Sequence, residues 1–241
     1  MKVYRVRSVE SLGRALTILL AAAGALNLIN GLTNLAYWRS NRFVIPFGED
    51  PVFVSQEPQE GLAGVLSSAG GLVVIATVVV WMIWQHHATA NLWARGFQAL
   101  QITPGWSVGW WFVPFVNLVM PFVSMREIDR RSRADGQFRT DTGPIGWWWA
   151  AFLVAQFLPI VSFFLAFGSQ LDRFSDAVRT DASSLDLTLQ MRQLAAIGAF
   201  AGVLSAVAAA LAILVVQRIT RHQEEVVRGP MPPRPDLDLP V

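Results

Sequence analysis

The chain of 241 residues contains no cysteine and only one lysine, Lys2. Without a thiol it forms no disulfide, binds no metal through thiolates and has no cysteine nucleophile. A single lysine likewise excludes nearly every mechanism that depends on a lysine amine. The three histidines, His86, His87 and His222, follow no metal-ligand spacing such as HExxH. We therefore expect no metal site and no cofactor.

Catalytic motifs are also missing from the sequence. It has no nucleophile elbow, no Walker loop and no dinucleotide fingerprint. No catalytic residue can be assigned, and we expect a protein that is not an enzyme. One alternative stays open, an enzyme that acts on lipid head groups, because membrane-enzyme sites can be assembled from scattered polar residues.

Charge is scarce and unevenly placed. Only 15% of the residues are charged, whereas 53% are hydrophobic. Five stretches contain no Asp, Glu, Lys or Arg: residues 15–38, 61–94, 96–125, 142–171 and 193–217. Each is long enough for the roughly 20 apolar residues that span a hydrocarbon core, which predicts an integral membrane protein. The net charge is only +2 and the arginines flank the apolar runs, so we expect the lipid bilayer as a partner and no nucleic acid.

Four apolar segments predict transmembrane helices, at residues 15–37, 62–84, 147–167 and 194–216. The expected fold class is therefore all-α, a polytopic helical membrane bundle. Aromatic residues stand near the span ends, as interfacial anchors do; they are Tyr37, Trp38, Trp81, Trp84 and the tryptophans at 147–149. We expect one membrane domain over residues 1–225 and a disordered, proline-rich tail over residues 226–241.

The N-terminus combines a basic start with an apolar run, as a signal peptide does. The run continues to Trp38 without a clean small-x-small cleavage site. We therefore expect an uncleaved first helix, with a removed signal as the alternative.

A further apolar segment, residues 104–125, can be placed in two ways. If it crosses the membrane, the Lys and Arg residues divide 8 to 11 between the two sides; if it does not, they divide 14 to 5. Only the second division obeys the positive-inside rule. We expect four crossings of the membrane with both termini cytoplasmic, and five transmembrane helices are the alternative.

The prolines of this segment predict a break. Pro114 cannot donate to the carbonyl of Trp110, and Pro121 cannot donate to that of Asn117. Asn117 would then present a side-chain amide and an unpaired carbonyl at one level, which lipid does not tolerate. A broken segment, re-entrant or interfacial and held by protein groups, is expected, with a kinked true span as its rival.

Both ends of the segment carry helix signals. Thr103 followed by Pro104 is a helix start, since the threonine caps and the proline suits the first turn. After the segment, "MREIDRRSR" begins with Arg126 and Glu127 and forms a charged helix exit. We expect this exit to lie along the membrane interface with its arginines toward anionic head groups.

Polar residues inside the predicted spans are few, and the candidates are Asn27, Asn34 and Gln156. The two asparagines share a stripe with Gly24 and Gly31, which favours close helix packing, with a polar path for a solute as the alternative. The last span has a GxxxG at Gly198 and Gly202, another packing motif. No acid, lysine, arginine or histidine lies in the four spans, which argues against ion pumps and proton-coupled carriers.

Beyond the second span, "QHHATANLWARG" places His87, Asn91 and Arg95 at i, i+4 and i+8. On a continued helix these side chains share one face. The structural interpretation is a set of hydrogen bonds that anchors the helix extension at the head groups. The functional alternative is a site for a head group or another anionic ligand, with the arginine supplying the charge.

One run carries a specific pattern: an Asn-containing helix exit, a Pro-Gly-Trp entry, Trp-Trp-Phe-x-Pro, Asn-Leu, a further proline and an Arg-Glu exit. The positions are Asn91, Pro104, Trp106, Trp110, Trp111, Phe112, Pro114, Asn117, Leu118, Pro121, Arg126 and Glu127. Over residues 81–132 this pattern resembles the bacterial membrane family called domain of unknown function 4328. The resemblance implies a polytopic bacterial membrane protein and transfers no activity.

The sequence as a whole predicts a structural or regulatory component of the cell membrane. Its broken segment and basic cytoplasmic face would organise contacts with anionic lipid head groups, a second copy of the chain or another membrane protein. The alternative is a passive channel or transporter component for a small solute, in which the intramembrane amides meet in a polar cavity.

Overall fold

The computed structural model describes residues 4–39, 57–95, 102–133, 143–176 and 184–228, and all elements within these ranges are helical. They are α1 (Glu10–Arg39), α2 (Glu57–Ala94), α3 (Pro104–Gly109), α4 (Met120–Ser132), α5 (Gly143–Asp176) and α6 (Ser184–Arg228), with two 3₁₀ turns between α3 and α4. The all-α fold class is confirmed.

Four helices are long and apolar enough to cross a membrane: Glu10–Arg39, Ala69–Ala94, Gly143–Leu165 and Arg192–Glu225. Helices α1, α2, α5 and α6 contain the four predicted spans and continue past them. The extensions are rich in Ala, Gln, Glu and Arg, which are good helix formers outside lipid as well. This set of helices indicates a multi-pass membrane protein.

Two short helices flank the break in residues 104–132, and α3 begins where Thr103 and Pro104 predict a helix start. At the start of α3 the Thr103 side chain accepts a hydrogen bond from the Trp106 N–H at 3.3 Å. Pro104 and Pro121 both lie in the first turn of their helices, α3 and α4. There the missing N–H costs no helical hydrogen bond.

The break itself consists of two 3₁₀ turns, Trp110–Phe112 and Val116–Leu118. Between them Phe115 adopts φ 63° and ψ −38°. The Val116 N–H donates to the Pro114 carbonyl at 2.7 Å, as in a γ-turn. Residues 104–132 are therefore not one continuous helix, and the chain bends sharply at a residue type that rarely takes a positive φ.

By their internal contacts the described residues form two compact units. The first contains residues 4–17, 79–95, 102–133, 143–145 and 214–228, and the second contains residues 18–39, 57–78, 146–176 and 184–213. Where the sequence predicts a disordered tail from residue 226, α6 runs on to Arg228. The rest of that predicted tail lies outside the described residues.

The core of the first unit is apolar and includes two tryptophans that the sequence assigns to the membrane interface. Trp81 and Trp84 are 7% and 0% exposed. The Trp84 Nε1 donates to the Thr220 hydroxyl at 3.1 Å, which removes the penalty of burying the indole N–H. Their assignment as lipid-facing anchors is therefore wrong, because they pack inside the protein.

In the second unit α1 and α6 pack through small residues. A Cβ added to Gly31 would stand 3.0 Å from the Ala199 carbonyl oxygen, and one added to Gly24 would stand 3.1 Å from the Ala209 Cβ. The GxxxG glycine Gly202 faces α1 of the same chain. Backbones approach this closely only where side chains are small, so the stripe acts as a packing seam.

Candidate functional site

A network of buried amide side chains lies in the first unit. Its members are Gln85 and Asn91 on α2 and Gln223 on α6, with exposed fractions of 0%, 1% and 0%. A buried amide requires acceptors for its N–H groups and a donor for its oxygen. The contacts of these three residues decide how the ends of α2 and α6 are held.

Asn91 holds the backbone of Arg7 through two hydrogen bonds. Its Oδ1 accepts from the Arg7 N–H at 2.8 Å, and its Nδ2 donates to the Arg7 carbonyl at 2.7 Å. The second hydrogen on Nδ2 goes to the Gln223 Oε1 at 3.1 Å. Both hydrogens of the amide are used, so Asn91 fixes the segment before α1 and has no N–H left for a ligand.

Gln223 ties α6 to two other elements. Its Nε2 donates to the Ala88 carbonyl on α2 at 2.9 Å and to the Ser132 hydroxyl at 3.1 Å. Ser132 is the last residue of α4 and is fully buried. The end of α4 is therefore attached to α2 and α6 by one side chain.

Gln85 makes the corresponding attachment for α3. Its Nε2 donates to the Ser107 carbonyl at 2.8 Å. Its Oε1 accepts from two indoles, Trp81 Nε1 at 2.9 Å and Trp111 Nε1 at 3.0 Å. The start of the broken segment is thus anchored to α2 at Gln85. Its end is attached through Gln223 to Ala88, about one helical turn further along α2.

The buried carboxylate of Asp129 joins α4 to α6 by an ion pair. Asp129 is 2% exposed, and its oxygens lie 2.7 Å from Arg133 Nη2 and 3.1 Å from Arg218 Nε. A buried carboxylate requires such partners, because its charge cannot stay unpaired in a low-dielectric interior.

A second buried carboxylate caps α1. Glu224, 8% exposed, accepts from the Ser8 hydroxyl and from the Val9 N–H, both at 2.8 Å. The unpaired N–H groups and the dipole at a helix start favour a negative charge there. Glu224 therefore holds the first turn of α1 against α6.

A cavity of about 390 Å³ adjoins the segment that Asn91 holds. Its lining residues are Tyr4, Arg5, Arg7, His86, His87, Ala90 and Asn91. None of them carries a carboxylate, and the ring centroids of His86 and His87 are 5.9 Å apart. Such a pocket, rich in hydrogen-bond donors and positive charge, suits an anion. Within the described ranges no three His, Asp or Glu side chains are grouped to hold a metal ion.

The structure brings together two of the three residues in the predicted set His87, Asn91 and Arg95. His87 and Asn91 line the cavity, but Arg95 does not. The Arg95 guanidinium lies 3.5 Å from the Gln223 carbonyl. Burial lowers the pKa of Arg95, and the nearby Glu224 carboxylate opposes that shift. Two arginines before α1 supply the positive charge of the cavity instead.

Trp110, Asn117 and Ser124 are spaced by seven in the sequence and would share one face of a continuous helix, but they lie in three different elements because the helix is interrupted. Trp110 stacks on Trp106 with ring centroids 4.4 Å apart. The Asn117 N–H donates to the Val113 carbonyl at 2.9 Å, while its side chain makes no hydrogen bond within the described residues. Ser124 is buried in α4.

The other predicted residues of the segment lie in different surroundings. Pro114 is exposed at the bend, and Pro121 is buried in α4. Arg126 and Glu127 are both half-buried on α4.

The three predicted intramembrane amides belong to the second unit. Asn27 Nδ2 donates to the Ala23 carbonyl of its own helix at 2.9 Å. Asn34 Nδ2 donates to the carbonyl and the side-chain oxygen of Asn30 at 2.9 and 2.7 Å. Gln156 is exposed on α5. Both asparagines thus donate hydrogen bonds within α1.

Sequence reasoning missed several residues of this site: Arg5, Arg7, Gln85, Asp129, Gln223 and Glu224. One signal was available, since Gln85 follows the apolar second span directly and Gln223 follows the last span by a few residues. Their pairing requires the ends of α2 and α6 to meet the start of α1. That is a tertiary contact, which the period of hydrophobic residues does not encode.

A comparison with protein-family models matches residues 57–221 to "Domain of unknown function (DUF4328)". The match covers more than half of the chain and includes the pattern in residues 81–132, so the resemblance read from the sequence is confirmed. The chain matches no curated protein and no solved structure.

Proposed function

Because the chain belongs to the DUF4328 family, whose description assigns no activity, we propose a function from the geometry of its first unit. The protein is a non-enzymatic, structural or regulatory component of a bacterial cytoplasmic membrane. It crosses the bilayer four times with both termini cytoplasmic. Residues 104–132 stay on the cytoplasmic side, and their apolar bend enters the adjacent lipid leaflet.

The observation that carries this proposal is the anchoring of both ends of residues 104–132 to one turn of α2. Gln85 binds the Ser107 carbonyl near the start, and Gln223 binds both Ala88 and Ser132 at the end. Positions 85 and 88 lie about 4.5 Å apart along a helix axis. A crossing would separate the ends by the ~30 Å of the hydrocarbon core.

The surface of the bend supports lipid contact. Phe115 is 85% exposed and Phe112 is 69% exposed, and the neighbouring Val119 is exposed as well. A cluster of exposed apolar side chains at a strained bend is costly in water, whereas a lipid leaflet covers it. The charged α4 that follows has Arg130 on its exposed side, within reach of anionic head groups.

The alternative, a passive channel or transporter component, finds less support in the described residues. That function requires Asn27 and Asn34 to face an open polar cavity. A Cβ on Gly198 would stand 2.9 Å from the Asn34 Oδ1, and one on Gly202 would stand 2.6 Å from the Asn27 carbonyl oxygen. This face of α1 is filled by α6, which leaves no room for a solute.

Topology can be tested directly because the chain has no cysteine. Thr103→Cys and Arg130→Cys flank the bend, and both positions are exposed. A membrane-impermeant maleimide should label both from the side that labels Arg221→Cys, near the end of α6. Arg39→Cys, at the end of α1, is the control for the opposite side. Labelling of Thr103→Cys and Arg130→Cys from opposite sides would refute the proposal.

Lipid insertion of the bend needs a separate measurement. An environment-sensitive fluorophore on Phe115→Cys should be quenched by spin-labelled lipid in nanodiscs. The same fluorophore on Arg130→Cys, which should lie at the surface, should be quenched much less. Equal quenching at the two positions would contradict insertion even if the topology is as proposed.

A further inference from the structure

We infer that the cavity before α1 is a binding site for the phosphate group of an organic phosphate. The ligand is held by Arg5 and Arg7 together with His86 and His87. This site goes beyond the proposed function, since it requires neither a membrane-inserted bend nor a particular topology of residues 104–132.

The chemistry of the lining selects an oxyanion. A guanidinium presents paired N–H donors that match two phosphate oxygens, and an imidazole contributes a donor or a positive charge. The phenol of Tyr4 adds one more donor. No lining residue is acidic, so nothing in the wall repels a phosphate.

The two arginines have no carboxylate partner within the described residues. Three other arginines of the unit do pair with carboxylates: Arg218 and Arg133 with Asp129, and Arg14 with Glu10. A concave surface with unneutralised cations raises the local concentration of anions. Arg5 and Arg7 thus keep their full charge at the wall of the cavity, where a ligand can reach them.

The site is preorganised by hydrogen bonds that do not involve the ligand. Asn91 fixes the Arg7 backbone on both its N–H and carbonyl sides, and Glu224 fixes Ser8 and Val9 just after it. Asn91 has used its N–H groups in these bonds, so it is a positioning residue here. A fixed segment loses less conformational freedom when the ligand binds, which favours affinity.

The size of the cavity indicates what carries the phosphate. Its volume of about 390 Å³ falls in the range of roughly 300–1,000 Å³ that small-molecule sites occupy. An inorganic ion would leave most of that space empty. The ligand is therefore an organic phosphate, either the head group of an anionic phospholipid or a soluble phosphate ester.

The test uses the full-length protein and compares two variants that lose the same charge. Arg5→Gln/Arg7→Gln removes the guanidinium groups of the cavity. Arg14→Gln/Arg221→Gln removes two exposed arginines of the same unit that do not line it. Soluble glycerol 3-phosphate is titrated by calorimetry into protein in nanodiscs of neutral lipid. Retained phosphatidylglycerol is counted by native mass spectrometry.

We expect the cavity variant to bind at least one of the two probes at least about tenfold more weakly than the control variant, since it has lost the charged hydrogen bonds from both guanidinium groups. A loss confined to phosphatidylglycerol assigns the site to a lipid head group, and a loss confined to glycerol 3-phosphate assigns it to a soluble ester. Equal binding by both variants, or no binding of either probe to the wild type, overturns the inference. The cysteine-labelling pattern of residues 103 and 130 decides the proposed function independently.

Discussion

Gly202 on α6 touches Gly31 on α1 through the backbone itself: a Cβ added to Gly202 would lie 2.5 Å from the Gly31 Cα. Real Cβ atoms do not come this close to another backbone, so any larger residue must push the two helices apart. The GxxxG of α6 is therefore occupied within the chain. It is not available there for pairing with a second copy.

We expect Gly202→Ala to lower the free energy of unfolding by about 1–3 kcal/mol, because overpacking at a backbone contact cannot be relieved by a rotamer change. The measurement is thermal or chemical unfolding in detergent micelles. The matched control is Gly71→Ala on α2, where an added Cβ meets nothing within 4 Å. Equal stability of the two variants would show that α1 and α6 do not pack at Gly31.

The two hydrogen bonds between the Asn91 side chain and the Arg7 backbone yield a second prediction. Asn91→Ala leaves the Arg7 N–H and carbonyl and the Gln223 Oε1 without their partner. Leaving these buried or part-buried polar groups unpaired should lower the free energy of unfolding by about 1–3 kcal/mol. Amide hydrogen exchange at Arg7 should also accelerate, which reports the release of the segment before α1.

A suitable control for Asn91→Ala is Thr33→Ala. The Thr33 hydroxyl is exposed and donates only to the Ile29 carbonyl of its own helix, at 2.9 Å. Its removal should change stability by less than about 0.5 kcal/mol. If Arg7 exchanges at the same rate in both variants, Asn91 does not hold that segment.

The four long helices could be predicted from the sequence because their apolar runs are long and free of charge. The capped start of α3 at Thr103 and Pro104 could also be predicted, since both signals are local. The burial of Trp81 and Trp84 could not, because an aromatic residue at a span end suits the lipid interface and the protein interior equally well.

The candidate site could be predicted only in part, for a similar physical reason. His87 and Asn91 stand on one helix face, which the spacing reveals. Arg5 and Arg7 reach the same cavity only because Asn91 bonds to a backbone 84 positions away in the chain. No periodic pattern marks a contact between an amide and a distant backbone group.

The ion pairs of Asp129 lead to a third prediction. Asp129→Asn removes the buried charge that Arg133 and Arg218 share. Breaking a largely buried pair should lower the free energy of unfolding by about 3 kcal/mol, because the positive charges of the two guanidinium groups are left without the negative charge that balances them. The unfolding midpoint in detergent should fall accordingly.

Glu10→Gln provides the matched comparison for Asp129→Asn. It also converts a carboxylate to an amide in an i, i+4 pair with an arginine, but the side chains of Glu10 and Arg14 are 36% and 75% exposed. An exposed pair contributes at most about 1 kcal/mol. A loss as large as that of Asp129→Asn would mean that burial is not what makes the Asp129 pairs important.

The strained backbone of Phe115 allows a final prediction that separates side chain from conformation. Phe115→Ala and Phe115→Gly both remove the exposed ring, but only glycine adopts φ 63° without steric cost. The glycine variant should therefore be more stable than the alanine variant by about 1 kcal/mol, the usual penalty of the left-handed region. Unfolding of the two variants in the same detergent measures this difference, and the lost ring cancels between them. If the alanine variant is equally stable, Phe115 does not hold a positive φ in the folded protein, and the bend between the two 3₁₀ turns has a different geometry.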